Sequence, residues 1–514
     1  MSKSITRRDT LKVMGASVLP ALFPRQMDAF SNWLQPQKKP NILIIVLDTL
    51  SANHLSLYGY PRHTSASMER FSNRATVYHS HFSGGNFTTA GTASMLTGMY
   101  PWTHRAINIS GLVKRSLVDR NIFQQIGSGY HRIAFTQNML AEMLLNQFET
   151  DINDHLPFTF TSRELLTLPL SRGSDLDPVL SFYAYGDFLA IRQNNDGPLS
   201  GSPLLGLLEL LKPSEETRKS EEYPFGLPTN SWYTYTNRDT FDAILQKIIE
   251  ASALDKPFFG YFHLWTPHEP YNARKEFVGR FKKDGYSPAS KPEHVLTDMH
   301  RPEKNLIRLR QAYDEFITDV DADLGRFLES LEQSGILDTS YVIITSDHGQ
   351  LFERGEHGHN TALLFDSVVH IPLIILSPGQ TARRDVFAPT SNIDLLPTLV
   401  SLAGKEPNLS VEGKVLPGFG GAVDQERSIY SMVAKTNSAF APITIASVAL
   451  IKSTKKLIHY VGYGNYDNGS ELYDLADDPE ELKDLAASDT LTAAQMRDEL
   501  LTALEEANQA IKAP

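Results

Sequence analysis

Asn41-Ile42-Leu43-Ile44-Ile45-Val46-Leu47-Asp48 is an apolar, largely β-branched run that ends in a carboxylate. A strand with one wet face alternates apolar and polar residues, so a run this continuous predicts a central parallel strand buried on both faces. A second run of the kind, 341–345 (YVIIT), follows a helical pattern over about 306–333 and leads into Ser346-Asp347-His348-Gly349. A further helix and strand pair joins 240–252 to 257–265. Strands alternating with helices predict an α/β fold with a doubly wound, mostly parallel sheet, whose ligands sit beyond the carboxyl ends of the strands. Asp48, His268 and Asp347 are expected at that edge.

The chain has 514 residues, whereas single cores rarely grow beyond about 250–300 residues, which predicts a large domain with a smaller companion. The main domain is assigned to 39–425. Within it, 151–234 is rich in Pro, Ser, Gly and Leu with weak periodicity, and reads as an insertion or cap. After it the pattern shortens to strands at 428–433, 443–452 and 456–461 and a last helix at 491–511, the expected small α+β domain of 426–514.

A net charge of -12 leaves no basic stripe to neutralise a nucleic-acid backbone, so nucleic acid is not an expected partner. An anionic substrate would need local help from a metal or from histidines. The absence of cysteine removes disulfides, thiolate metal sites and cysteine nucleophiles together. Residues 1–38 read as a signal and linker. Thr6-Arg7-Arg8-Asp9-Thr10-Leu11-Lys12 precedes an apolar run, 13–23, that is too short to span a bilayer. This resembles a twin-arginine export signal and predicts a periplasmic or extracellular protein with no membrane span in its mature form.

Asp48, Asp347 and His348 are oxygen and nitrogen ligands delivered at strand ends that the sheet would bring together, a set suited to a divalent ion such as zinc, manganese or calcium. The segment 84–98 (GGNFTTAGTASMLTG) reads as a loop entering a helix at about Thr88. A hydroxyl there is ordinarily a cap, but a helix N-terminus also holds tetrahedral anions, so Thr88 or its neighbour Thr89 is placed to attack a phosphorus or sulfur already cradled. Threonine is a weak nucleophile at neutral pH, and metal coordination would lower its pKa. His268, in 265–271 (WTPHEPY), and His357 and His359, in 355–360 (GEHGHN), are candidate anion contacts or leaving-group acids. His54, His63, His79, His81 and His104 are taken as structural or solvent-exposed.

Several of these stretches, in this order, resemble the sulfatase family of the alkaline phosphatase superfamily. They are NILIIVLDTLSANHLSLYGY (41–60), the helix through Tyr313-Asp314 and Val320-Asp321, DHG (347–349), GEHGH (355–359), HIPLII (370–375), DLLPTLVSL (394–402) and ELYDL (471–475). The resemblance implies a sheet of alkaline phosphatase type, ester-bond chemistry, a divalent metal on Asp48, Thr88, Asp347 and His348, and roles for His268, His357 and His359. Sulfatases carry CxPSR, with Thr-Gly nine and ten residues after its first position. Thr97-Gly98 puts Thr88 at that position, with Ala90, Gly91 and Thr92 in place of proline, serine and arginine. The lysine usual after the later glycine is absent, and Thr49 replaces the second aspartate of the calcium-type pair.

Conversion to formylglycine needs a primary –CH2SH or –CH2OH side chain, so Thr88 cannot become that aldehyde. A plain alkoxide lacks the aldehyde hydrate's route for expelling sulfate, whereas a phosphothreonine can pass its group to water or an alcohol. The leading expectation is therefore an exported, metal-dependent phosphodiester hydrolase or phosphoryl-group transferase with a threonine nucleophile, acting on an anionic ester that is lipid- or glycan-linked. A sulfuric ester hydrolase without formylglycine is the second expectation, and a catalytically inactive binding or scaffold homologue the third.

Overall fold

Neighbouring residues of the 41–47 run face opposite cores, and both cores are apolar. In the computed structural model, which describes residues 39–157, 160–161, 221–230, 234–407, 410–464 and 466–512, this run is strand β1 (Asn41–Leu47). The expected export signal and most of the expected cap, 162–220, lie outside the described residues. Leu43, Ile45 and Leu47 pack against helices Asn237–Ser252 and Glu303–Gln333. Ile42, Ile44 and Val46 pack against helices Thr88–Thr97, Met139–Gln147 and Leu395–Leu402. Burial on two faces is why the sequence shows no alternation here.

The remaining strands are β2 (Ala75–Tyr78), β3 (His81–Phe82), β4 (His131–Thr136), β5 (Asp154–His155), β6 (Phe258–Leu264), β7 (Ser340–Thr345), β8 (Leu351–Glu353), β9 (Glu356–Gly358), β10 (Leu373–Leu376), β11 (Arg384–Val386), β12 (Thr390–Ser391), β13 (Ile429–Val433), β14 (Ala446–Lys452), β15 (Lys455–Val461) and β16 (Ser470–Asp474). Among the described residues the main sheet has eight strands in the order β11-β2-β10-β7-β1-β6-β4-β5. All its pairings are parallel except those of β10, which runs against both β7 and β2. The expected doubly wound, mostly parallel α/β sheet is present, with one reversed strand that periodicity had no means of marking. β1 lies between β7 and β6, in register Val46 with Thr345 and Val46 with His263, so the carboxyl ends of the three strands open at one place.

The two long helices run a little past their expected bounds, starting at Asn237 and Glu303. Thr236 caps the first, its side chain accepting from the Asp239 N–H at 3.0 Å, and Phe241, Ile244 and Ile248 carry its buried stripe. The C-terminal α+β segment contains a fourth strand, β16, beyond the three expected. β13 to β16 form an antiparallel sheet covered by the Thr490–Lys512 helix. This sheet packs on the main domain, Met432, Val448 and Leu450 sharing one buried cluster with Tyr100, Trp102 and Ile393. Its first strand is bonded to the loop before Thr88, with the Met432 N–H donating to Gly84 O at 2.9 Å.

Candidate active site at the carboxyl ends of β7, β1 and β6

Asp48 follows β1 directly, its N–H donating to Leu264 O of β6 at 3.1 Å. Asp347 and His348 follow β7, and His263 is the last but one residue of β6. All four are fully buried. His263 Nε2 lies 3.7 Å from Asp48 Oδ2 and 3.7 Å from Asp347 Oδ2. From the other side, His348 Nε2 lies 3.4 Å from Asp347 Oδ2 and 3.8 Å from Asp48 Oδ1. Asp48 Oδ1, Asp347 Oδ2 and His263 Nε2 have no hydrogen-bond partner although they are buried. Asp48, His263 and Asp347 offer ligand atoms all within 4.8 Å of one another. Three converging buried polar atoms without partners would each cost about 1–3 kcal/mol, and a divalent cation is the group whose charge and size fit that donor set.

The same grouping divides the titration of the two carboxylates. Burial, reinforced by the charge of Asp48, pushes Asp347 above the usual carboxylate range. Burial acts likewise on Asp48, but His263, His268 and His348 outweigh it and hold Asp48 below that range. Burial works against the His263 imidazolium, yet the two carboxylates raise its pKa. The loop after Asp48 is strained to meet this cluster. Thr49, a β-branched residue, adopts φ 63. Its N–H donates to Asp347 Oδ1 at 3.3 Å, and the Tyr313 hydroxyl donates to its carbonyl at 2.6 Å.

Thr88 opens the Thr88–Thr97 helix after the extended Phe87, and no side chain caps that end. The first N–H groups of the helix are therefore free to face an anion. Asn138 Nδ2 donates to Thr88 Oγ1 at 3.2 Å and to Asp48 Oδ2 at 2.5 Å. The Thr88 hydroxyl lies 3.4 Å from His348 Nε2. Because His348 Nδ1 sits 3.0 Å from the Gly349 carbonyl, the ring proton belongs on Nδ1 and the lone pair on Nε2. Thr89 is turned away, donating to the Ile109 carbonyl. Gly91 has a steric reason to lack a side chain, since a Cβ there would stand 2.2 Å from Asp347 O.

The other candidate histidines divide into two groups. The His359 ring packs 4.4 Å from that of His348, and His268 packs 5.1 Å from His359, so His348, His359 and His268 form one run from the cluster to the surface. Burial, with the charges of His348 and His268, holds His359 well below the ordinary histidine pKa. His357, on the β8–β9 hairpin, points elsewhere. Its Nε2 meets the Tyr271 hydroxyl at 3.1 Å and Glu269 Oε2 at 3.4 Å. Gln350 connects it to the run, donating to Tyr271 Oη at 2.7 Å while accepting from His359 Nδ1 at 2.8 Å.

Sequence reasoning passed over His263 and Asn138. His263 is a polar residue inside an apolar strand, and that interruption was the available signal. Asn138 is the N-cap of the Met139–Gln147 helix, a role that accounts for an asparagine by itself. Among the histidines taken as structural, His54 is buried on Asp314 at 2.6 Å and His104 on Ser94 at 3.1 Å.

The chain matches the sulfatase family model over residues 40–405 and the model of the C-terminal region of N-sulphoglucosamine sulphohydrolase over 355–510. Arylsulfatase K of Bos taurus is 27% identical over 269 residues, which cover 46% of this chain and 49% of that protein. Choline-sulfatase of Rhizobium meliloti (strain 1021) is 28% identical over 240 residues, covering 43% and 44%. This chain thus spans about half the length of these curated relatives. Among solved structures, the phosphonate monoester hydrolase of Agrobacterium radiobacter has a TM-score of 0.64 at 20% identity, covering 91% of this chain and 96% of that one. A 2-O GAG sulfatase has a TM-score of 0.61 at 17% identity, covering 93% and 94%. At these identities the likeness is one of fold.

Proposed function

Because the chain belongs to the sulfatase family, we propose that it is a metal-dependent phosphodiester hydrolase or phosphoryl-group transferase in which Thr88 is the nucleophile. The observation that carries this reading is the Thr88 hydroxyl, 3.4 Å from His348 Nε2 at an uncapped helix N-terminus, beside the unpartnered buried atoms of Asp48, His263 and Asp347. Asp48, Asp347 and His263 would hold a divalent cation, whose positive charge would lower the Thr88 pKa.

The chain's own groups do the rest. Asn138 orients the hydroxyl by donating to it. The open helix N-terminus receives the non-bridging oxygens. As the Thr88 Oγ1–phosphorus bond forms, the Thr88 hydroxyl proton passes to His348 Nε2 and the bond to the leaving alkoxide breaks. His268, the outermost imidazole of the run, gives that alkoxide a proton from Nε2, its Nδ1 being 2.9 Å from the Glu269 carbonyl. Water or an acceptor alcohol then gives a proton to the same imidazole and attacks phosphorus, and Thr88 leaves with the proton returned from His348 Nε2. His359, neutral and buried, packs between His348 and His268 and keeps both rings in place.

A phosphodiester suits this site better than a monoester, because the helix that Thr88 opens carries Ala90, Gly91 and Thr92 and has little charge to offer a dianion. Sulfate-ester hydrolysis is the second reading, favoured by the sulfatase names of the matched relatives. No helix among the described residues is long and apolar enough to cross a membrane. We assign the twin-arginine motif at Arg7-Arg8 to export, with a lipid- or glycan-linked anionic ester as substrate.

The test is turnover of matched aryl phosphodiester, phosphomonoester and sulfate esters by protein of measured metal content, with Thr88→Ala and Asp347→Ala. Diester turnover lost in both variants is the expected result. Turnover of the sulfate ester instead promotes the second reading, and a metal-free protein inert on all three favours the scaffold.

A further inference from the structure

The Thr88 loop has no cation of its own, and Asn360 and Thr361 stand where the turn after His359 would carry one. The tertiary structure brings a lysine in from the C-terminal sheet. β13 lies along the loop that ends at Thr88, with the Met432 N–H donating to Gly84 O at 2.9 Å and the Ser431 hydroxyl donating to Ser83 O. Just past β13, Lys435 Nζ lies 5.4 Å from the centroid of the Phe87 ring and 3.5 Å from Asn360 Oδ1. The ammonium is thus set between the residue before Thr88 and the residue after His359.

A lysine at a rim is ordinarily a solvated surface charge. Three observations argue against that here. First, the backbone that carries Lys435 is fixed: Asn108 Nδ2 donates to the carbonyls of Lys435 at 2.7 Å and Asn437 at 2.9 Å, and the Arg105 guanidinium binds those of Ser438, Ala439 and Ala441. Second, the Lys435 ammonium enters no ion pair among the described residues, and its hydrogen bond to Asn360 is a long contact to a neutral amide. Third, burial lowers its pKa to about 8 although Asp298 and Glu356 pull the other way, and its charge helps to depress His359. The result is a partly dehydrated ammonium with no ion pair among the described residues, held between Phe87 and Asn360.

We propose that Lys435 is an anion-binding residue of the Thr88 site, supplying from the C-terminal sheet the positive charge that neutralises a non-bridging oxygen of the group transferred to Thr88. The inference rests on the reading of Thr88 as the residue that takes up that group. One lysine matches one charge, which fits a singly charged diester group and leaves a dianion only partly neutralised.

The test is calorimetric titration of the full-length, metal-loaded protein with inorganic phosphate and inorganic sulfate, for the wild type, Lys435→Gln, Lys435→Arg and Thr88→Ala. A hydrogen bond to a charged group contributes enough that Lys435→Gln should weaken both anions roughly ten- to hundredfold. Lys435→Arg, which keeps the charge, should stay within about threefold of the wild type. Thermal midpoints of both variants at the wild-type value keep a loss of affinity from being a loss of fold. Wild-type affinity in Lys435→Gln, or no binding of either ion by the wild type, overturns the proposal. Ester turnover that survives Thr88→Ala while anion affinity still depends on Lys435 refutes only the threonine mechanism. Turnover lost in Thr88→Ala with affinity unchanged in Lys435→Gln refutes only the lysine.

Discussion

Asn138 ties a helix cap to the candidate site, and its two halves separate by mutation. Its Oδ1 accepts from the Leu140 N–H at 2.9 Å, and its Nδ2 donates to Asp48 at 2.5 Å and to Thr88 at 3.2 Å. Asn138→Ala removes both halves: a cap is worth about 1 kcal/mol and a buried hydrogen bond to an ionised group about 2 kcal/mol, so the loss should total about 3 kcal/mol. Asn138→Asp keeps the cap acceptor, loses the donor and sets a third carboxylate beside Asp48. Its cost therefore depends on a cation. Urea unfolding near neutral pH, with chelator and with divalent metal, should show Asn138→Ala destabilised in both conditions and Asn138→Asp destabilised in chelator but largely restored by metal. Both variants should lose ester turnover, because Thr88 loses its orienting donor. Equal losses in the two variants regardless of metal would refute the cation site, and a loss below about 0.5 kcal/mol in Asn138→Ala would refute the hydrogen-bond argument.

Gly91→Ala should reverse the usual helix rule. In an ordinary helix interior it gains up to about 1 kcal/mol, but here the new Cβ meets Asp347 O at 2.2 Å. It should therefore cost about 1–3 kcal/mol and weaken metal retention, and a raised melting temperature would contradict the packing described. His263→Ala should lower metal affinity by more than the roughly 10–100-fold typical of outer partners of metal ligands. His268→Ala should leave metal content unchanged, and equilibrium dialysis with elemental analysis separates the two. The protein should also be acid-labile. Burial lowers His81 and His104 to about 3, while an unfolded histidine titrates near about 6.5. Their contribution is full above that pH and is lost as pH falls from about 6.5 toward 3, at roughly 1.4 kcal/mol per pH unit for each. Urea midpoints across this range should show a shallower acid slope in His104→Gln, and an unchanged slope would remove His104 from the account.

The sequence by itself determined the sheet's central strands and the carboxylates attached to them. A parallel strand covered on both faces must be apolar throughout, so 41–47 and 341–345 declare themselves. A carboxylate at the end of such a run has nowhere to go but the strand edge, which made Asp48 and Asp347 legible. Thr88 was preferred to Thr89 through its distance from Thr97-Gly98, by alignment alone. The tertiary structure adds that the Thr88 hydroxyl faces His348 while that of Thr89 bonds the Ile109 carbonyl.

What only the tertiary structure decided are the meetings across long stretches of chain. Periodicity is blind to strand direction, so the reversal of β10 left no trace. His357 and His359 stand two residues apart in one motif, yet only His359 packs on His348, because the hairpin turns His357 toward Tyr271. Asn138 reaches Asp48 from 90 residues away, and Lys435 reaches Asn360 from 75. His263 joins the carboxylates because strand order sets β6 beside β1. Local patterns record how deeply a residue is buried, since burial acts on each residue separately. Which buried groups share a site depends on the order in which the strands pair, and no single segment contains that order.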